Sequence, residues 1–144
     1  MPLTRKDLIL YKPELVILGH IHLPQVAGKV YYPGSPCPLN INETGPRRFL
    51  VLDTNVGELQ SMPVNSLLEY YNEHFVMIPG DNDLDMLLNS IHKRIQEWQV
   101  SPSREDAVQV KVEISGTAKS NRGKILAEVK KAISPYRLYL DQDP

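Results

Sequence analysis

The chain has one cysteine, Cys37, in its 144 residues. No internal disulfide can form, which fits a reducing compartment, and Cys37 reads as a small residue in a proline-rich loop and not as a reactive thiol. Charge of one sign is lacking too. The 16 basic and 17 acidic side chains leave a formal net charge of -1, so nothing draws the whole molecule to nucleic acid and any DNA contact must come from a local patch. Long apolar runs are absent: no stretch approaches a membrane span, and the opening residues lack the apolar core of a signal peptide. The expectation is a cytoplasmic chain. Its 42% apolar and 23% charged content is that of a folded globular protein, and its length admits one or two small domains.

What is present is organised around Leu15-Val16-Ile17-Leu18-Gly19-His20-Ile21-His22. The aliphatic run predicts a buried strand, and the Gly-His-x-His after it predicts backbone leaving a sheet with imidazoles at the rim. If extended geometry continues through Ile21, the period of two sets both rings on one side, where they can converge on a metal. Imidazole is the commonest protein metal ligand, although paired histidines also occur on solvated strands and loops.

Before the motif, Leu8 to Tyr11 reads as the tail of a helix broken at Lys12-Pro13. After it, Lys29 to Tyr32 predicts a short strand, and Pro36, Pro38 and Gly45-Pro46 mark a rigid loop. Arg47 to Val64 reads as a hairpin turning at Asn55-Val56-Gly57. Eight of the twelve prolines, from Pro2 to Pro63, fall in this half, which has no helix long enough to cover a sheet. The character changes near residue 65. Asn65 to Tyr71 reads as a short, helix-like linker and Phe75 to Pro79 as a buried strand. Leu84, Leu87, Leu88, Ile91, Ile95 and Trp98 recur at helical spacing and predict a helix over Leu84 to Gln99, capped by Asp81 or Asp83. Val108, Val110, Val112 and Ile114 alternate with polar residues as in a strand with one solvated face. Asn121 opens a second helix with Ile125, Val129 and Ile133 inward, and Tyr136 to Leu140 closes as a strand. The order is β-α-β-α-β, a two-layer unit.

The series Gly19-His20-Ile21-His22, then Tyr32-Pro33-Gly34-Ser35-Pro36, then an acidic loop residue such as Glu43, then Arg47-Arg48-Phe49-Leu50-Val51-Leu52-Asp53, resembles the last part of a calcineurin-like metallophosphoesterase domain. It looks most like the SbcD branch, the nuclease half of a DNA repair complex. The resemblance implies an α+β fold: residues 1–64 as the C-terminal strands of a metallophosphoesterase β-sandwich, and residues 65–144 as a capping domain that positions DNA. It implies two-metal phosphodiester hydrolysis, an exonuclease acting in double-strand break repair or recombination, with His20 on one metal and His22 on the other. Two divalent ions, manganese by ligand preference, are the implied cofactors, and DNA and an SbcC-like ATPase the implied partners. The family's other ligands sit in D-x-H, GD and GNH motifs and a further histidine upstream, and none of these stands before the histidine pair here. The chain alone is therefore expected to be catalytically incomplete and to self-associate or to pair with the missing N-terminal phosphoesterase portion.

Other candidates have competing readings. Gly80-Asp81-Asn82-Asp83-Leu84-Asp85 fails as a calcium loop, with Met86 and His92 where glycine and glutamate belong, and fails as GDxxD because Leu84 replaces the second aspartate. Helix capping remains. Ser35, Arg47 and Arg48 are candidate phosphate contacts near the motif, and Lys119, Arg122 and Lys124 crowd the start of the second helix, where backbone N–H groups favour phosphate. A solvated basic face is the alternative reading of that cluster. Two further functions stand beside the nuclease: a non-catalytic DNA-binding or interaction module, and a small zinc hydrolase that adds His74 or His92 to the histidine pair.

Overall fold

The computed structural model describes residues 4–139; Leu140, expected to end the last strand, lies outside them. The architecture is mixed α+β, as expected, and falls into two compact units: Met1–Pro36 with Arg47–Asn65, and Cys37–Pro46 with Ser66–Pro144.

The first unit opens with helix α1, Arg5–Tyr11, held at its start by a reciprocal capping box between Thr4 and Asp7. The Thr4 hydroxyl and amide hold the Asp7 carboxyl below its usual range. Lys12 ends the helix in the left-handed conformation. Strand β1, Val16–Ile17, pairs in parallel with β3, Val30–Tyr32, and β2, Gln25–Ala27, which the sequence did not suggest, pairs antiparallel on the other side of β3. The hairpin is as expected: β4, Arg47–Asp53, pairs residue for residue with β5, Glu58–Val64.

This unit has almost no interior. Arg47 is the only residue in its described part that is buried. Phe49, Val51 and Met62, on one face of the hairpin, are 46%, 44% and 41% exposed, and Ile17 of the motif strand is 47% exposed. The run around β1 has the composition of a strand covered on both sides, yet only two of its residues are in a strand and neither is buried. The expected buried strand is thus present only as a stub, because the described residues of this unit place no second layer over it.

The second unit carries both apolar cores. Strand β6, Glu69–Met77, and β7, Val108–Gly116, pair in parallel along nine residues each, and β8, Arg137–Leu138, adds to the far edge of β7. Helix α2, Asp83–Trp98, connects β6 to β7 by way of a 3-10 turn at Pro102–Ala107, and α3, Arg122–Ala132, connects β7 to β8. Met77, Leu87, Ile91, Val129 and Ile133 form one core cluster, and Tyr71, Val108 and Val110 form another, against which Trp98 and Tyr136 pack. Of the predicted inward positions, Leu87, Ile91, Ile95, Trp98, Ile125, Val129 and Ile133 pack in these clusters, Leu84 is buried outside them, and Leu88 is half-buried.

Two expectations fail here. Residues 69–71 are strand and not a helix-like linker, because Glu69, Tyr70 and Tyr71 pair with Val108, Gln109 and Val110. Tyr71 stacks on Trp98 at 4.2 Å and donates its hydroxyl to Glu69 at 2.7 Å; burial pushes its pKa well up. Asp81 and Asp83 do not cap α2. Asn82 occupies the cap position without a side-chain hydrogen bond, and Asp83, in the first helical turn, binds elsewhere.

Candidate functional site

The histidine pair sits on a loop of the first unit, with both rings exposed. Extended geometry does not run through it, since His20 has a φ of 77°. A left-handed backbone in a residue other than glycine costs on the order of 1–3 kcal/mol and is found where surrounding contacts enforce it.

The carbonyl oxygen of His22 accepts two hydrogen bonds, from the Ser35 backbone N–H at 3.0 Å and from Arg47 Nη1 at 3.1 Å. Gly34 makes this approach possible. Its φ is +82°, and a Cβ there would lie 2.7 Å from that carbonyl oxygen and 2.9 Å from Pro24 Cδ. The three sequence motifs thus meet at one backbone atom. The Tyr-Pro-Gly-Ser stretch supplies the amide and the space, and the first residue of β4 supplies the cation.

Arg47, a candidate for phosphate contact, is turned inward and 1% exposed. Its Nε and Nη2 find no acceptor among the described residues. An unmet buried donor costs about 1–3 kcal/mol, more when charged. Arg48 points to the other face of the hairpin, where it lines a cleft of about 160 Å³ with Pro24, Val26, Tyr31 and Leu50. Ser35 is half-buried, and its amide is committed to His22.

The basic candidates of the second unit lie apart in character. Lys119 places Nζ 2.8 Å from Asp81 Oδ1, and its backbone N–H donates to Asp83 Oδ2 at 2.6 Å. Ser120 adds its amide and its hydroxyl to the same carboxylate, at 3.1 and 2.6 Å. Asp83 is 4% exposed, and the Ser120 hydroxyl, with the two amides, holds its carboxyl below the usual range although burial opposes this. The amides that would cradle a phosphate in this loop are therefore taken by an anion of the chain itself. Asn121 likewise caps α3 by accepting from the Gly123 N–H at 2.8 Å. Arg122 remains exposed and lines a cleft of about 550 Å³ with Ser115, Thr117, Ser120 and Ile125, and Lys124 is exposed on α3. No pattern in the sequence signals the Asp83 tie, which joins residues 36 and 37 positions apart.

Among the described residues, no group of three or more His, Cys, Asp or Glu side chains is placed to hold a metal ion. His74 instead shares a 2.8 Å hydrogen bond with Ser115 Oγ, and His92 is exposed on α2. Imidazoles such as those of His20 and His22 suit a share of a metal centre, but the pair falls short of a whole one: hard divalent ions need oxygen ligands, and no further ligating side chain joins them among the described residues. No helix among the described residues is long and apolar enough to cross a membrane.

No family model matches the chain. Over 106 residues, 71% of this chain, it is 32% identical to the SbcD subunit of the SbcCD nuclease from Escherichia coli strain K12, and the same protein from Escherichia coli O157:H7 gives the same figures. That match covers 24% of each relative, so the chain spans about a quarter of the length of the curated relatives it matches. The similarity supports an SbcD-like relationship, partial and distant, over the matched residues.

Proposed function

We propose that this chain is the C-terminal part of an SbcD-like nuclease that hydrolyses DNA phosphodiesters in double-strand break repair. In this reading the first unit ends a metallophosphoesterase domain and the second is a DNA-positioning cap. The observation that carries it is the conjunction of an SbcD-like sequence with a first unit that has the histidine pair but, among its described residues, no buried apolar side chain. His20 and His22 would each give an imidazole to one of two divalent ions, manganese by ligand chemistry. The residues that carry the upstream motifs, which lie outside this sequence, would supply the carboxylate and remaining ligands and cover the apolar hairpin. Bound ions of this kind activate water and neutralise charge on a phosphodiester. The residues of this chain orient the two rings and present the exposed cations Arg122, Lys124, Lys130 and Lys131 to the DNA backbone. An SbcC-like ATPase is the implied further partner.

The test is hydrolysis of a bis-aryl phosphodiester with manganese. The chain alone is expected to give none. Turnover is expected once a polypeptide with the D-x-H, GD and GNH motifs is added, and His20→Ala is expected to remove it. Turnover by the chain alone, sensitive to the same substitution, overturns the incomplete-site reading.

A further inference from the structure

The hydrogen bonds at His22 have an unusual distribution for a merely structural contact. A buried guanidinium is a poor choice for stability when it satisfies one acceptor and leaves two nitrogens unmet, since an apolar side chain of similar length would fill the space without stranded donors. Among the described residues, the Arg47 guanidinium donates to the carbonyl of a histidine, 25 residues away in sequence. On the other side of Ile21, His20 adopts a left-handed conformation. The backbone carrying the two rings is thus tied at the His22 carbonyl. Local cost at a residue that holds a candidate ligand is the pattern of a site shaped for function.

We propose that Arg47 is a positioning residue for the histidine pair. Together with the Ser35 amide it pins the His22 carbonyl, and Gly34 leaves the room for both. The inference rests on the reading of His20 and His22 as metal ligands. It makes the stretch Pro33-Gly34-Ser35 and the start of β4 parts of one clamp, and neither is a substrate contact through Arg47.

The test uses the chain as it stands, with nickel as a probe ion that favours imidazole. Nickel affinity is measured by calorimetry and unfolding by circular dichroism, for the unaltered chain, Arg47→Met, Arg47→Lys, His20→Ala and His22→Ala. Loss of a residue that orients a ligand typically weakens metal affinity by about 10- to 100-fold, and Arg47→Met is expected near the lower end, with the melting temperature unchanged or raised. Arg47→Lys keeps one nitrogen donor for the carbonyl and is expected to stay within about threefold of the unaltered chain. Opposite movement of stability and affinity is what a structural role does not give. Nickel binding by Arg47→Met equal to that of the unaltered chain, while both histidine variants lose it, overturns the inference and leaves the ligand reading intact. A joint fall of stability and affinity in Arg47→Met that lysine does not rescue, or failure of that variant to fold, also overturns it. Unchanged binding in the histidine variants removes the ligand reading, and this inference with it.

Discussion

Replacing Ile91 by alanine is expected to destabilise the second unit by about 3–4 kcal/mol, within the usual range for truncating a buried isoleucine. Ile91 is 1% exposed and lies on α2 in the cluster with Met77, Leu87, Val129 and Ile133, so the loss leaves a cavity walled by the sheet and both helices. For a unit of this size, each 1 kcal/mol shifts the melting temperature by about 4–8 °C, and the variant should melt more than about 10 °C lower. Met86→Ala, on the same helix but 63% exposed, is expected to change stability by less than about 0.5 kcal/mol. Thermal melts followed by circular dichroism compare the two. Equal melts would show that α2 does not bury the face assigned to it.

The second large effect belongs to Asp83. Its carboxylate accepts from the Ser120 hydroxyl and amide and the Lys119 amide, so it ties the start of α2 to the loop before α3. These bonds hold its pKa below the ordinary 3.8. A group depressed in the folded state contributes its full stability above its unfolded pKa and loses it as pH falls through the folded value. Asp83→Ala should therefore unfold at lower urea at pH 7, and the gap from the unaltered chain should close as pH drops below about 4. Asp81→Ala removes only a contact to Lys119 in which the aspartate side chain is 91% exposed, and it should be close to neutral. A gap for Asp83→Ala that persists unchanged in acid contradicts the assigned hydrogen bonds.

The second unit is legible in the sequence because its pattern is self-consistent. Val108 to Ile114 alternates, Ile125, Val129 and Ile133 recur at helical spacing, and each pattern finds its partner within the unit. The start of β6 escapes because Glu69, Tyr70, Asn72 and Glu73 carry no apolar alternation; pairing with β7 decides their conformation. The first unit is legible in its motifs and misleading in its geometry. A run such as Leu15 to Leu18 predicts a covered strand only if a cover exists. The left-handed φ of His20 has no local signal, and a strand arginine reads as a surface charge unless its acceptor is known. For Arg47 that acceptor is a backbone carbonyl, which no side-chain pattern announces. Asp83 likewise reads as a cap in the sequence because its actual donors lie 36 and 37 residues further on.

The proposed cover of the first unit by residues carrying the upstream metal motifs is open to sedimentation of the chain with and without a polypeptide that carries them. The chain alone is expected to self-associate, less so with Phe49→Lys and Val51→Lys on the exposed hairpin face. That self-association is expected to give way to a one-to-one complex when a polypeptide carrying the upstream metal motifs is present. A chain that stays a monodisperse monomer at high concentration, and that ignores the added polypeptide, would contradict it.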